Sequence, residues 1–301
     1  MPRSRYGQLL TERSARASRS LDRMSALEIA RLMNREDQTA VRAVRRALPA
    51  VARAVNRSVA ALASGGRLFF VGAGTSGRLG VLEAAECPPT FGTPPSLVQA
   101  IMAGGRAAVF RSREGAEDDS RAAVRAVRAR VRRGDVVVGV SASGVTPFVR
   151  AALAAARQRG AATVMIACNP RKHGGAASLI ALASGPEVVA GSTRLKAGTA
   201  TKLVLNILTT ATMARLGRVY GNRMIDLIPR SAKLRDRALR LVQELAGVSR
   251  PAATRALAVA GDRVRLAVVI ARKGATPLAA RRMLRNAGGL RAVLEDRGGR
   301  Q

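Results

Sequence analysis

Histidine, cysteine and aromatic residues are scarce in this 301-residue chain, which has one His, two Cys, no Trp, two Tyr and five Phe. The only histidine, His173, lies in the polar segment RKHGG, so neither a histidine-based triad nor a histidine metal site is expected. Cys87 and Cys168 lie far apart and form no CxxC pair, which argues against a disulfide framework or a structural zinc site. We expect Cys87, which precedes two prolines, to be a buried structural thiol rather than a reactive one.

Long apolar runs are also missing. No stretch of about 18 consecutive apolar residues occurs, which excludes a transmembrane helix. The first ten residues are too few and too polar for a secretory signal. Together with the low cysteine content, these features predict a cytoplasmic protein without a membrane partner.

Acidic residues are few: 19 Asp and Glu stand against 52 Lys and Arg, a net charge of +33. Such a charge often indicates nucleic-acid binding, which would need basic residues gathered on one face. Only five of the basic residues are lysine, however, and the arginines are spread along the chain, with few aromatics for base stacking. The composition is typical of the arginine-favouring codons of a GC-rich genome. We expect nonspecific attraction to polyanions and no specific nucleic-acid partner.

The pattern of apolar residues predicts an α/β fold. Residues 21–62 have the three-to-four spacing of helices, and after Arg67 short apolar runs alternate with helical stretches. Runs rich in Val and Ile that are separated by helices indicate a parallel sheet covered on both faces. The predicted strands are 67–72, 97–102, 136–141, 162–168 and 178–183. The predicted helices are 76–86, 119–132, 147–159, Lys196 to Arg215, and several short ones within 235–296.

Three parts of the chain follow from this pattern. We predict an N-terminal helical segment at 1–55, a three-layer α/β/α domain with a parallel sheet at 56–218, and a small C-terminal helical module at 219–301. No internal repeat or low-complexity segment occurs.

Two turns rich in glycine and hydroxyl residues each follow a predicted strand. The first is GAGTSG at 72–77, and the second is SASGVTP at 141–147. Because ligands in parallel sheets bind beyond the carboxyl ends of the strands, both turns belong at that edge, where N–H groups of a new helix favour an anion. The first turn also resembles a dinucleotide fingerprint, but no acidic residue ends a second strand at the expected distance. Helix capping by Ser143 or Thr146 is the plainer alternative for the second turn.

Six of the 19 acidic residues fall between residues 83 and 119, where an even spread would give between two and three. Glu86 ends the predicted helix 76–86, where the helix dipole disfavours a carboxylate, and Glu117 follows the glycine pair at 104–105. Two carboxylates near one phosphate site can divide acid and base duties. The alternative is that they are only helix-end charges. Lys196 opens a helix, where a cation is unfavourable, and is therefore predicted to face an anionic ligand.

The chain resembles the N-acetylmuramic acid 6-phosphate etherases, a family of the sugar isomerase (SIS) domain superfamily. The segments that carry the resemblance occur in the family's order and span nearly the whole chain: GAGTSGRLGVLEAAECPPTFG, EGAEDD, SASGVTP, ACNP, GPEVVAGSTRLKAGTATKLVLN and RLGRVYGNRMID. ECPPTFG together with EGAEDD is specific within the superfamily. The animal glucokinase regulatory proteins share parts of the pattern but are much longer.

The resemblance implies cleavage of the D-lactyl ether of N-acetylmuramic acid 6-phosphate without metal or organic cofactor, in a homodimer. The family's catalytic glutamates correspond to Glu86 and Glu117, by analogy the acid for the lactyl oxygen and the base for the C2 proton, although the reverse assignment stays open. A noncatalytic phosphosugar sensor is the alternative, against which the retained glutamate pair argues. The candidate residues for substrate and phosphate binding are Gly74, Thr75, Ser76, Gly77, Ser141, Ser143, Gly144, Thr146 and Lys196.

Three segments depart from the family pattern. Val145 stands where the family commonly has Arg in SGRTP, which removes one candidate contact for an anion. Residues 14–16 lack the Arg and the Asn-Pro often found there, and residues 228–233 lack the usual Thr-Asn before Lys233. Together these departures permit a diverged specificity.

Overall fold

The computed structural model describes residue 7 and residues 9–170, 176–227, 229 and 231–295. His173 lies outside the described residues, as do Ile228 and Arg230 of the divergent segment. The chain forms two compact units, the first of Met1–Ala85 with Pro95–Thr212 and the second of Glu86–Pro94 with Met213–Gln301. The three-part division at residues 55 and 218 stays a prediction, and its first boundary falls inside a helix.

That helix, α1 (Ala26–Ala63), is a single element of 38 residues, where the sequence pattern predicted several helices. It follows three short 3-10 turns at Leu10–Glu12, Arg16–Ser18 and Leu21–Arg23. A capping box starts it: the Ser25 N–H donates to Glu28 Oε2 at 2.8 Å, and Ser25 Oγ accepts from the Glu28 N–H. Pro49 is tolerated within the helix because it lies on the exposed side, where water can solvate the carbonyl that loses its partner.

The first unit contains the predicted parallel sheet. Its five strands pair in parallel in the order β2-β1-β3-β4-β5. Every residue of β1 and β3 is buried, as expected for strands covered on both faces. The five predicted strands are confirmed to within about two residues; they are β1 (Leu68–Gly72), β2 (Val98–Met102), β3 (Val136–Val140), β4 (Ala162–Ala167) and β5 (Ser178–Ala181).

Helices cover both faces of the sheet. On one face, Phe69 and Val71 pack with Val127 and Leu153 in a single apolar cluster. On the other face, Phe70 lies so close to Gly80 that a Cβ there would be 2.7 Å from the Phe70 Cβ. The α/β fold with helices on both faces is therefore confirmed. The helices after α1 are α2 (Gly74–Phe91), α3 (Ala107–Phe110), α4 (Ser120–Arg130), α5 (Pro147–Gln158) and α6 (Lys196–Arg215).

Helix α2 is longer than predicted, and the prediction that it stops at Cys87 was wrong. It continues through Pro88 and Pro89 to Phe91, so Glu86 lies within the helix and not at its C-terminus. Proline's fixed φ suits a helix, and here the prolines lie in the last turn. The helix closes with the Gly92 N–H donating to the Pro88 carbonyl at 3.0 Å, with Gly92 in the left-handed conformation at φ 61°.

The second unit is largely helical, as predicted for residues 235–296. A hairpin of two short antiparallel strands, β6 (Val219–Tyr220) and β7 (Arg223–Met224), precedes the helices and was not predicted. The helices share one apolar core, which includes Val242, Leu257 and Val268. They are α7 (Ala232–Ala246), α8 (Arg250–Val259), α9 (Val264–Lys273), α10 (Pro277–Asn286) and α11 (Leu290–Glu295). Among the described helices of the chain, none has the length and hydrophobicity needed to cross a bilayer.

A buried carboxylate holds the start of β1 beside the start of β3. Asp135, which is fully buried, accepts from the backbone N–H of Arg67 at 2.9 Å and of Arg132 at 2.8 Å. The Arg67 guanidinium donates to both oxygens of the same carboxylate, from Nη2 to Oδ2 at 2.7 Å and from Nε to Oδ1 at 3.3 Å. Because each oxygen of Asp135 has at least two donors, the ion pair is satisfied without water.

We predict that Asp135→Ala lowers the free energy of unfolding by about 3–5 kcal/mol, because it leaves the Arg67 charge and two backbone donors without their acceptor. Chemical denaturation followed by circular dichroism measures the change. The exposed Arg128 on α4 provides the control, since Arg128→Ala should change stability little. A loss for Asp135→Ala no larger than that of the control would contradict the role given to this carboxylate.

Candidate functional site

The strand order brings the two predicted turns together. β1 pairs directly with β3, with Gly72 opposite Val140, so both strands end at the same edge of the sheet. The connections from β1 and β3 leave in opposite directions along the sheet, an arrangement that opens a crevice in doubly wound folds. A cavity of about 410 Å³ lies there. Its walls include Ala73, Gly74, Thr75 and Ser76 of the first turn and Ala142, Ser143, Val145, Thr146 and Pro147 of the second.

Glycines let the first turn fold back on the strand. A Cβ on Gly77 would lie 2.6 Å from the Gly72 carbonyl oxygen and 2.3 Å from Met102 Sδ, distances that no side chain can adopt. Gly74 has φ 53°, which glycine adopts without strain. Gly77 therefore shapes the turn without lining the cavity, whereas Gly74, Thr75 and Ser76 line it.

A hydroxyl network shapes the second turn. Ser141 Oγ lies 2.7 Å from Thr146 Oγ1 and accepts from the Gly144 N–H at 3.0 Å. Ser143 Oγ accepts from the Val145 N–H at 3.2 Å. Of these predicted residues, Ser143 and Thr146 line the cavity, whereas Ser141 is buried and, with Gly144, supports the turn from beneath. The Ser141 hydroxyl therefore stabilises the turn, whereas Ser143 and Thr146 are available to a ligand in the cavity.

The N-terminal segment adds residues that the sequence pattern did not single out. Asn169, at the end of β4, donates to the carbonyls of Ala142 and Ser143 at 3.2 and 3.0 Å, while its Oδ1 accepts from the Leu10 N–H at 2.8 Å. This bridge brings Leu9 and Glu12 to the cavity wall. The only sequence signal was that Asn169 lies in ACNP, one of the segments that carry the family resemblance.

Glu117 lies on the wall of the same cavity. Its backbone carbonyl accepts from the Phe148 N–H at 2.9 Å, in the first turn of α5, where a helical N–H would otherwise have no partner. This bond joins the loop of Glu117 to the second turn. Asp118 also lines the cavity, so Glu12, Glu117 and Asp118 place three carboxylates among hydroxyl groups.

A smaller cavity of about 200 Å³ shares Ala73, Gly74 and Glu117 with the first one. Arg78 of α2 lies on its wall, with its guanidinium donating to the carbonyl of Val109 from Nε at 2.7 Å and to that of Ala108 from Nη2 at 2.9 Å. Both acceptors belong to α3, in the segment between β2 and Glu117. Arg78 thus fastens the loop of Glu117 to the helix that carries Thr75 and Ser76.

Lys196, which was predicted to face an anionic ligand, forms an ion pair within the protein. It is buried, its Nζ donates to Glu36 Oε2 at 2.5 Å, and it is not among the residues that line the cavity. The N-terminus of α6 is capped by Glu187, which accepts from the N–H groups of Lys196 and Ala197 at 3.1 and 2.9 Å. Burial raises the pKa of Glu187 above its ordinary value in spite of these bonds. This geometry gives no support to a ligand contact for Lys196.

Glu86 belongs to the second unit, is exposed, and is absent from the described walls of both cavities. One turn earlier in α2, Glu83 is buried in the first unit. Its oxygens accept from Lys202 Nζ at 2.9 Å and from Thr209 Oγ1 at 2.7 Å, both on α6. Glu83 was counted among the acidic residues of the sequence but given no role, because only the packing of α2 on α6 shows its partners.

Neither cysteine adds a reactive group. Cys87 and Cys168 are both buried, and burial, with the nearby Glu187 charge, raises the pKa of the Cys168 thiol to about 12. Within the described ranges, no group of three or more His, Cys, Asp and Glu side chains is arranged to hold a metal ion.

Comparison with known proteins decides the family. The chain is 50% identical over 294 residues to the N-acetylmuramic acid 6-phosphate etherase of Picosynechococcus sp., covering 96% of this chain and 98% of the relative. It is 51% identical over 263 residues to the etherase of Symbiobacterium thermophilum, covering 87% and 88%. The chain belongs to the N-acetylmuramic acid 6-phosphate etherase family.

Residues 50–157 match the family of the glucokinase regulatory protein N-terminal SIS domain. In this etherase-family chain that range includes β1, β2, β3 and both hydroxyl turns. Among solved structures, a phosphoheptose isomerase from Francisella tularensis is similar at 19% identity and a TM-score of 0.47, covering 64% of this chain and 100% of that one.

We predict that Arg78→Lys loosens the loop of Glu117, because an ammonium group cannot make both bonds that the guanidinium fork makes to α3. Amide hydrogen exchange within residues 104–117 should speed up by about tenfold or more, as expected for the loss of a charged hydrogen bond. Arg106→Lys, at an exposed arginine of the same loop, is the matched control. Equal exchange in the two variants would show that Arg78 does not hold the loop.

Proposed function

We propose that this chain cleaves the D-lactyl ether of N-acetylmuramic acid 6-phosphate to give N-acetylglucosamine 6-phosphate and D-lactate. The observation that carries the proposal is the position of Glu117, a carboxylate on the wall of a cavity built from two hydroxyl turns at helix N-termini. The proposal is also supported by the similarity to etherases, since the chain is about 50% identical to one of them over 96% of its length.

The two turns are the proposed phosphate site. Thr75, Ser76, Ser143 and Thr146 offer hydroxyl donors, and the first turns of α2 and α5 add the partial positive charge of helix N-termini. Val145, which also lines the cavity, has an apolar side chain and therefore adds no cation. The phosphate contacts proposed for these turns are therefore neutral hydroxyl and backbone N–H groups.

The proposed reaction starts from the open-chain aldehyde of the sugar, in which the carbonyl acidifies the C2 proton. The Glu117 carboxylate takes that proton, and the electron pair left at C2 expels the ether oxygen from C3. Glu86 protonates the departing oxygen, which leaves as D-lactate. Water then adds its hydroxyl to C3 and a proton to C2 of the unsaturated aldehyde. The sum is one ether and one water converted to two alcohols, with no change in oxidation state.

The roles of the two glutamates rest on different support. For Glu117 the support is its place in the cavity beside the proposed phosphate site. For Glu86 it is the match of ECPPTFG to the family segment that bears a catalytic glutamate, together with its exposure near the end of α2. Glu12 and Asp118 are two further acidic residues of the cavity. Each is an alternative candidate for the base, and mutation of Glu117 distinguishes it from them.

We predict that Glu117→Gln abolishes exchange of the C2 proton with solvent deuterium, with a loss of about a hundredfold or more, because an amide cannot accept the proton. Binding of the phosphosugar should change little, since the hydroxyl turns are intact. NMR of the substrate in deuterium oxide measures the exchange, and calorimetry the binding. The exposed Asp236 supplies the control, Asp236→Asn, which should leave exchange unaltered. Normal exchange in Glu117→Gln would remove this residue as the base.

We further predict that Glu86→Gln suppresses lactate release while C2 exchange survives in part, because deprotonation does not need a protonated leaving group. The two rates, measured on one sample, separate the acid from the base. Loss of exchange in Glu86→Gln with survival in Glu117→Gln would reverse the assignment.

A phosphosugar-sensing regulator is the competing function, and the match of residues 50–157 to a regulatory protein's domain is its one support. Purified protein incubated with N-acetylmuramic acid 6-phosphate and assayed for D-lactate distinguishes the two. Binding of the sugar without lactate would favour the regulator.

We also propose that the chain acts as a homodimer. Besides the family resemblance, helix α1 leaves three large apolar residues exposed, Leu27, Val41 and Leu48. They are separated by 14 and 7 residues, which places them along one side of the helix. A second copy of the chain would cover this strip.

Light scattering at micromolar concentration should therefore give the mass of a dimer for the native chain, and Val41→Arg should shift the equilibrium toward the monomer because a buried charge would lack a partner. Val259→Arg, at an exposed apolar residue of α8, is the control. A native chain that is monomeric would contradict the proposal.

A further inference from the structure

The second unit contains a cavity of about 700 Å³ whose walls are unusually rich in arginine. Five of its 14 lining residues are arginine, whereas the whole chain has 47 arginines among 301 residues, the 52 basic residues less five lysines. The general abundance of arginine therefore does not account for this concentration. We call it the arginine cavity, defined by Arg218, Arg263, Arg265, Arg281 and Arg285.

The two carboxylates of the arginine cavity are already engaged. Asp226 accepts from Arg218 Nη1 at 3.3 Å and from Arg265 Nη2, which also donates to the Gly217 carbonyl at 3.0 Å. Burial raises the pKa of Asp226 in spite of these two cations, which indicates that water has little access to this part of the cavity wall. Asp262 forms an ion pair with Arg235, outside the cavity, at 3.2 Å.

Three cations of the cavity remain without a carboxylate among the described residues: Arg263, Arg281 and Arg285. Arg281 and Arg285 lie one turn apart on α10, so their like charges repel each other. The Nε atom of Arg265 is buried and has no acceptor within the described part of the chain. An anion bound in this site would offset the positive charge of the three arginines and would accept a hydrogen bond from the buried Nε–H.

The first turn of α9 strengthens this electrostatic preference. Its residues Val264, Arg265 and Leu266 line the cavity. The N-cap residue is Arg263, whose side chain has no acceptor and so does not cap the first N–H groups of the helix. The free N–H groups at the start of a ten-residue helix add a partial positive charge on the same side as the arginines.

We propose that the arginine cavity is a second ligand site, which binds a small phosphorylated molecule. A phosphate carries nearly two negative charges and accepts the paired N–H bonds of guanidinium groups, so it offsets three unpaired arginines better than a single carboxylate does. Ile225, Leu227 and Leu284 provide apolar wall for an uncharged body, and the volume is in the usual range for small-molecule sites. This inference is independent of the etherase activity.

The test is calorimetric titration of the full chain with inorganic phosphate at constant ionic strength, chloride replacing phosphate in the reference. The double variant Arg281→Gln with Arg285→Gln removes two unpaired cations and keeps the helix, since glutamine is a good helix former. The control is Arg282→Gln, which removes a cation from the same helix outside the cavity; Arg282 is exposed, as are Arg281 and Arg285. The variant Thr75→Val with Ser76→Ala weakens the separate phosphate site proposed at the sheet edge.

We expect the double arginine variant to bind phosphate at the second site about tenfold or more weakly, while Arg282→Gln keeps the native affinity. The Thr75 and Ser76 changes should leave this binding event in place. Native affinity in the double arginine variant would overturn the proposal. An equal loss in Arg282→Gln would overturn it too, because the effect would then be general charge screening. A chain that releases no lactate yet shows this pattern would refute the etherase function alone.

Discussion

The parallel pairing of β1 with β3 is the constraint on which the candidate site depends. Residues 72 and 140 lie far apart in sequence, and only the ladder between these strands places the turns after them side by side. Asp135 secures the other end of the same pair by binding the backbone just before β1 and just before β3. A slip of this register by one residue would turn every buried side chain of the strand to the opposite face, so the site and the core are specified by the same contacts.

The carboxylate of Glu117 owes its position to contacts made by other residues. Its own backbone accepts from the start of α5, and Arg78 of α2 holds the preceding helix α3 through two carbonyls. The loop is thus tied to both helices that begin at the hydroxyl turns. Such support reduces the cost of ordering the loop when a ligand binds, because the backbone is already held in place.

The two units differ in how their charged side chains are paired. In the first unit Lys196 and Lys202 each have a glutamate partner and Arg67 has an aspartate partner, Asp135, and these pairs join elements of the fold. In the described part of the second unit, Asp226 forms ion pairs with two arginines, while three other arginines of the same cavity have no carboxylate partner. A buried pair mainly specifies packing, whereas unpaired charge in a cavity remains available for binding.

Local pattern was sufficient for the five strands, the extent of α6 and the two turns, because periodicity and glycine positions report backbone preferences directly. It failed at Pro88 and Pro89, because proline's fixed φ is compatible with a helix and α2 continues through both residues to Phe91. It also could not place Lys196, since the partner Glu36 lies 160 residues away, or reveal Glu12, Asn169 and the arginine cavity. Side chains distant in sequence meet only after strand order and helix packing are set. The sequence by itself therefore determined the class of fold, because periodicity is a local property, and the tertiary structure decided which charges are paired and which face a cavity.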